Sequence, residues 1–298
     1  MKKIVITITL CSILFSCKNR NHDVDASGTF EATEVIVSSE ANGKLLRFDV
    51  EEGQRVKMGE KLGIVDTVQL YLKKVQLQTS ARSVDSRKMD IAKQIAATQE
   101  QIATQLRERD RVEKLLAANA ANRKQLDDIN SAIAVLEKQL IAQKSSMENS
   151  NRSISEESSS VEVQIAQIMD QLTKSIITSP IDGTVLVKYA EQGEVTAVGK
   201  PLFKVADIDH IYLRAYVDAS QLVKIKIGQK ATVYVDYGGK EPRSYEGRVT
   251  WISNQAEFTP KTIQTRDERA NLTTAVKIAV ENDGLIKIGM YGDVKFND

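Results

Sequence analysis

From Ile64 to Ser179 the chain contains neither glycine nor proline, although it has 15 of the first and 4 of the second. Both residues interrupt helices, glycine through backbone entropy and proline through its missing N–H. A run of this length without them therefore permits uninterrupted helix. A seven-residue apolar repeat passes through it: Leu126, Ile133, Leu140, Met147, Ile154, Val161 and Ile168. An earlier row, Leu70, Leu77, Val84 and Ile91, decays into Thr98 and Gln105. Sustained period seven is the pattern of helices wound around one another. Between the rows, Ala117 to Asn122 is small and polar, with arms of nearly equal length on either side. The spacing predicts a long antiparallel helical hairpin over residues 68–175. Positions beside the stripe are polar (Gln143, Ser150, Glu157, Gln164, Gln171), and Ser145–Ser160 is the segment with least to bury. Such a hairpin is expected to be mobile alone and firm only beside neighbouring protomers.

Charge and composition exclude several classes. The net charge of +1 leaves no large basic field for nucleic acid. Both cysteines fall within the first 17 residues, and the only histidines are His22 and His210. That leaves no disulfide framework, zinc cluster or cysteine-based active site in the rest of the chain. No phosphate-cradling glycine loop and no nucleophile–histidine pair is present, so neither an enzyme nor a cofactor is expected. Scattered acids on a coiled coil are a solvated face.

At the N-terminus, Lys2 and Lys3 precede an apolar run from Ile4 to Phe15, too short to persist as a spanning helix and typical of a secretory signal. It ends in Leu14-Phe15-Ser16-Cys17, which resembles a lipoprotein signal. That resemblance implies a signal over 1–16, lipidation of Cys17 and a polar leash over 17–27. Removing Lys2 and Lys3 takes the charge from +1 by two units to −1. Net charge then adds little membrane attraction.

Residues 39–65 read SEANGKLLRFDVEEGQRVKMGEKLGIV and residues 179–205 read SPIDGTVLVKYAEQGEVTAVGKPLFKV. An offset of 140 maps Ser39, Gly43, Leu46, Glu51, Gly53, Gly59, Leu62 and Val65 onto Ser179, Gly183, Leu186, Glu191, Gly193, Gly199, Leu202 and Val205. Glycines fall at turn positions and aliphatics within short strands. This motif looks like half of a lipoyl-type flattened β-sandwich. Two halves parted by a helical hairpin resemble the periplasmic adaptors, or membrane fusion proteins, of the haemolysin-D type. Val56-Lys57-Met58 superficially resembles a biotinylation sequence, but the junction where such carriers are modified is here occupied by helices.

The resemblance implies an elongated, multidomain α+β protein. A lipoyl-like sandwich, or barrel-sandwich hybrid (28–67 and 176–207), is split by the coiled-coil hairpin and followed by a small antiparallel β-barrel (208–298). Alternating segments at Ile211–Val217, Ala231–Val235, Tyr245–Ile252, Thr273–Val280 and Leu285–Phe296 predict its strands. Turns are expected at Gly238-Gly239 and Asn282-Asp283-Gly284. Asp218–Ile225 is read as a short helix and Trp251 as barrel core. Near the hairpin's turn, Arg111, Leu115 and Asn122 resemble the arginine–leucine–serine pattern with which adaptors meet an outer-membrane channel, asparagine standing for serine. Asn122 with Gln125 also forms a plausible capping pair. The stretch Glu257–Arg269 looks like adaptors of ABC-type exporters.

The implied partners are an inner-membrane transporter, of ABC type or alternatively a proton-driven RND pump, and an outer-membrane channel of the tunnel type. A hexamer of this chain is expected, held to the inner membrane in the periplasm by its lipid anchor. The competing reading is a lipid-tethered coiled-coil spacer, which needs neither sandwich nor barrel.

Overall fold

The computed structural model describes residues 24–235, 237, 242–257 and 273–297. They form two compact units: a helical one of Glu40–Lys44 with Val65–Ile176, and a sheet unit of the other described residues.

The strands are β1 Ala26–Ser38, β2 Gly43–Phe48, β3 Arg55–Val56, β4 Lys61–Val65, β5 Ile176–Thr178, β6 Gly183–Lys188, β7 Val195–Thr196, β8 Pro201–Val217, β9 Lys230–Val235, β10 Arg243–Glu257, β11 Thr273–Glu281 and β12 Tyr291–Phe296. The 140-residue offset reappears here as geometry. β2 maps onto β6, β3 onto β7, and β4 onto the start of β8. The halves interlock, β3 pairing with β6 while β2 lies beside β7. Hydrogen bonds repeat under the same shift: Leu45 N donates to Glu194 O at 2.8 Å and Val185 N to Gln54 O at 2.9 Å. Gly193 N donates to Leu45 O at 2.8 Å, and Gly53 N to Val185 O at 2.9 Å. Leu45 and Val185, and likewise Leu62 and Leu202, are buried as equivalent pairs. At the turns, Gly53, Gly59, Gly193 and Gly199 have φ of 84°, 79°, 94° and 87°, the left-handed region that other residues enter at a cost.

β1, β12, β9, β10, β11 and β8 follow one another in the sheet, and β1 also pairs with β8, which closes a six-stranded antiparallel barrel. Period-two alternation fills it: Ile211, Leu213, Ala215 and Val217 point in from β8, and Val276, Ile278 and Val280 from β11. Residues 26–32 contribute a wall, with Phe30 in the core. The expected sandwich–barrel boundary at 207/208 lies inside the continuous strand β8. There the register to β1 jumps from Ala32↔Ile211 to Thr33↔Asp207. That bulge lets one strand serve two curvatures.

Three sequence expectations need correction in the barrel. Trp251 is not core; it is 41% exposed. Its phase is reversed by a bulge in β10, where Val249 pairs with Ile278 but Trp251 with Lys277. Ile252 takes the inward phase instead. The strand expected over 285–296 begins only at Tyr291, because the Asn282 side chain accepts from Gly284 N and Ile286 N, both at 3.0 Å, and holds a turn. The helix expected over 218–225 shortens to α4, Ala219–Leu222. Asp218 caps it, and Ile225 then turns into the core. The Gly238-Gly239 turn lies outside the described residues.

The helical unit contains α1 Val68–Asp85, α2 Ile91–Ala117 and α3 Arg123–Lys174, with α1 and α2 both packed on α3. At about 1.5 Å per residue α3 alone is on the order of 75 Å long. The first arm departs from expectation: it is broken over 86–90 without any glycine or proline. Side chains end and restart it instead. Asp90 caps α2 by accepting from Lys93 N at 3.3 Å. Asn151 of α3 clasps the gap, accepting from Met89 N at 2.8 Å and donating to Met89 O at 2.9 Å.

The break also changes which positions of α3 are covered. Before it, Ile129, Leu136 and Gln143 accompany the stripe; beyond it, Asn151, Ser158, Ile165 and Leu172 do. Ser150, Glu157, Gln164 and Gln171, expected beside the stripe, are exposed. The step from Gln143 to Asn151 is eight residues rather than seven, and it sits opposite the break. Thr98, where the first apolar row fades, is buried and donates to Gln143 Oε1 at 3.0 Å. Of the stripe itself, Ile133 is buried and the other members are half-buried.

Candidate docking site at the hairpin apex

The last turns of α2 and the first of α3 carry the residues singled out for docking. Two backbone bonds close α2: Asn119 N donates to Leu116 O at 2.9 Å and Ala120 N to Leu115 O at 2.8 Å. This paired pattern past the helix end needs a left-handed residue, and Asn119 supplies it with φ of 56°. Asn119 is the turn residue that the docking pattern overlooks. Its signal was available, since asparagine tolerates this conformation better than its alanine neighbours.

Asn122 caps α3. Its Oδ1 accepts from Lys124 N at 3.0 Å, and Gln125 Oε1 accepts from Asn122 N at 3.4 Å to complete a capping box. The Asn122 side-chain NH2 has no protein partner among the described residues.

Arg111 and Leu115 stand one helical turn apart, and both are exposed. The Arg111 guanidinium grips Glu108 with Nε–Oε2 at 3.0 Å and Nη2–Oε1 at 2.5 Å. This hydrogen-bonded pair raises the arginine's pKa and lowers that of Glu108. Two of its five N–H donors are thereby used, leaving three to meet acceptors of a partner while Glu108 fixes the fork's plane. Leu115 is 36% exposed, beside buried Val112. Lys114–Asp110 at 2.7 Å and Arg109–Glu113 at 3.7 Å neutralise neighbouring charges within α2. The apex therefore offers an oriented donor fork, a small apolar patch and an amide on a capped turn. These suit a protein partner's carbonyls and a shallow apolar contact. Cys17 lies outside the described residues.

Among the described residues no cluster of three or more His, Cys, Asp or Glu is placed to hold a metal. Nor is any helix among them long and apolar enough to cross a membrane.

Residues 33–208, more than half of the chain, match the family described as the RND MFP (membrane fusion protein) barrel-sandwich hybrid domain. Solved structures agree on the fold. MacA from Actinobacillus actinomycetemcomitans is 20% identical over 91% of this chain and 76% of its own, with a TM-score of 0.58. A MacA–MexA chimera carrying the Pseudomonas aeruginosa MexA α-hairpin is 23% identical over 91% and 80%, at 0.51. The membrane fusion protein Spr0693 from Streptococcus pneumoniae R6 is 16% identical over 91% and 97%, also at 0.51. The chain belongs to the membrane fusion proteins, a family of non-enzymatic periplasmic adaptors.

Proposed function

We propose that this adaptor is anchored by lipid at Cys17 and joins an inner-membrane transporter of ABC type to an outer-membrane channel of the tunnel type. It acts as a homohexamer. Arg111, Leu115 and Asn122 form its docking apex. The observation that carries this reading is the apex geometry: an exposed arginine fork and leucine one turn apart, beside a turn that Asn119 closes and Asn122 caps. A spacer has no use for that arrangement, nor for a closed barrel. The ABC assignment rests on the likeness of Glu257–Arg269 to ABC-linked adaptors, of which 258–269 lie outside the described residues. An RND pump is the second reading, favoured by the family description that matches residues 33–208.

Replacing Arg111 with aspartate and Leu115 with serine tests the apex. Both side chains are exposed, so the fold is retained. Crosslinking to the outer-membrane channel in cells and export are expected to be lost together. Unchanged crosslinking with unchanged export contradicts the proposal. An ATP-hydrolysing subunit among co-purified partners supports the ABC reading, and a single large proton-driven permease supports the RND one.

A further inference from the structure

One end of the barrel carries an arrangement that the adaptor role leaves unexplained. After α4 the chain reads Val223-Lys224-Ile225-Lys226-Ile227. Leu222 and Ile225 pack into the barrel core, which leaves Val223 83% and Ile227 70% exposed. Lys224, Lys226 and Lys230 line the same concavity as Ile227, together with Lys295 and Asp25. No salt bridge among the described residues holds the ammonium of Lys224, Lys226 or Lys230, and Lys224 lies near enough to Asp218 to help lower that carboxyl's pKa. The acids nearby are engaged: Asp25 accepts from Phe296 N at 2.8 Å, and Asp218 caps α4. Exposed aliphatics interspersed with lysines along the chain, as in Val223-Lys224 and Lys226-Ile227, are the composition of a surface that rests on anionic headgroups, with the apolar tips entering the interface.

The leash points the same way. Asp25 borders this concavity, and Cys17 precedes it by eight residues, a reach of at most about 28 Å when fully extended. An acyl chain on Cys17 would keep this end of the barrel within that reach of the bilayer. We propose that Val223, Ile227 and the lysines 224, 226 and 230 form a membrane-contact surface for anionic phospholipid headgroups of the membrane that holds the anchor. The tethering rests on the proposed lipidation of Cys17; the surface itself does not. Net charge concealed it, because the lysines are clustered while the acids that balance them lie elsewhere or are already engaged.

The mature chain carrying Cys17→Ser has no acyl chain, so its binding to vesicles reads this surface alone. It is expected to sediment with mixed phosphatidylglycerol–phosphatidylcholine vesicles and not with pure phosphatidylcholine, and to release as salt is raised. Each lysine near an anionic surface is worth about fivefold in affinity. The combined variant K224Q/K226Q/K230Q, which removes the three charges, should therefore bind roughly a hundredfold more weakly, and V223S/I227S should weaken binding at unchanged salt dependence. Circular dichroism of each variant checks that the barrel is intact. Absence of binding to the anionic vesicles overturns the proposal, as does binding that both variants retain. Binding that appears only when a transporter is reconstituted in the vesicles overturns it too, and assigns the surface to a protein partner. If vesicle binding holds but mass spectrometry finds no acyl group on Cys17, the anchor fails and the surface stands.

Discussion

Asn151 does at one point what a proline or glycine does elsewhere: it makes a helix break tolerable. Its amide satisfies both backbone groups of Met89. Asn151→Ala would leave them without that partner and should cost about 1–3 kcal/mol in urea denaturation followed by far-UV circular dichroism. Ser150→Ala, on the exposed neighbour, should stay within about 0.5 kcal/mol. Glycines divide in the same way. A Cβ on Gly28 would overlap the Arg214 carbonyl oxygen, whereas one on Gly59 meets open space and suffers only the positive φ of 79°. Gly28→Ala should cost at least about 3 kcal/mol and Gly59→Ala about 1–2 kcal/mol. Trp251, the only tryptophan, lies on the barrel and serves as the fluorescent reporter for both.

His210 sits at the bulge in β8, where Nδ1 lies 2.9 Å from Asp207 Oδ2; that hydrogen bond and the carboxylate's charge raise the histidine's pKa. The contact favours the imidazolium, so its contribution is fully present below the ordinary value of 6.5 and is lost as pH rises through the raised one. Exposure to solvent keeps it small. An NMR titration should place His210 above 6.5, and Asp207→Asn should bring it back down.

At the scale of elements, the most legible feature was the split repeat. Turn glycines and core aliphatics recur at the same offset because both halves obey the same backbone and burial constraints. The structure extends that offset to individual hydrogen bonds. The hairpin was legible as helix but not as a broken arm, because its break is written in Asp90 and in Asn151, which lies 62 residues from Met89. No local pattern reports such a pairing. Trp251 misled for a related reason: alternation fixes which face a residue takes only where the register runs without a bulge. The segment 145–160 looked weakest, yet Asn151 and Ser158 are the residues that meet the break. Hydrogen exchange on the isolated monomer should still find the hairpin arms exchanging faster than β8 and β11, since most of the stripe is only half-buried. Equal protection in helices and barrel would contradict the view that the arms need neighbours.

At the scale of the whole molecule, the family is established by residues 33–208 and the fold by the barrel-sandwich hybrid, hairpin and barrel together. The docking roles proposed for Arg111, Leu115 and Asn122 were legible only as a short pattern, and the turn that carries it is built and capped. The barrel's lysine-bearing end was invisible in a net charge near zero, because charge sums discard position. The most direct test of the account is purification of the chain from native membranes in mild detergent, with its partners identified by mass spectrometry. The account predicts that an inner-membrane transporter and an outer-membrane channel come with it, and that the R111D/L115S variant loses the channel while keeping the transporter. Recovery of the chain with neither partner would contradict it and return the protein to a tethered spacer.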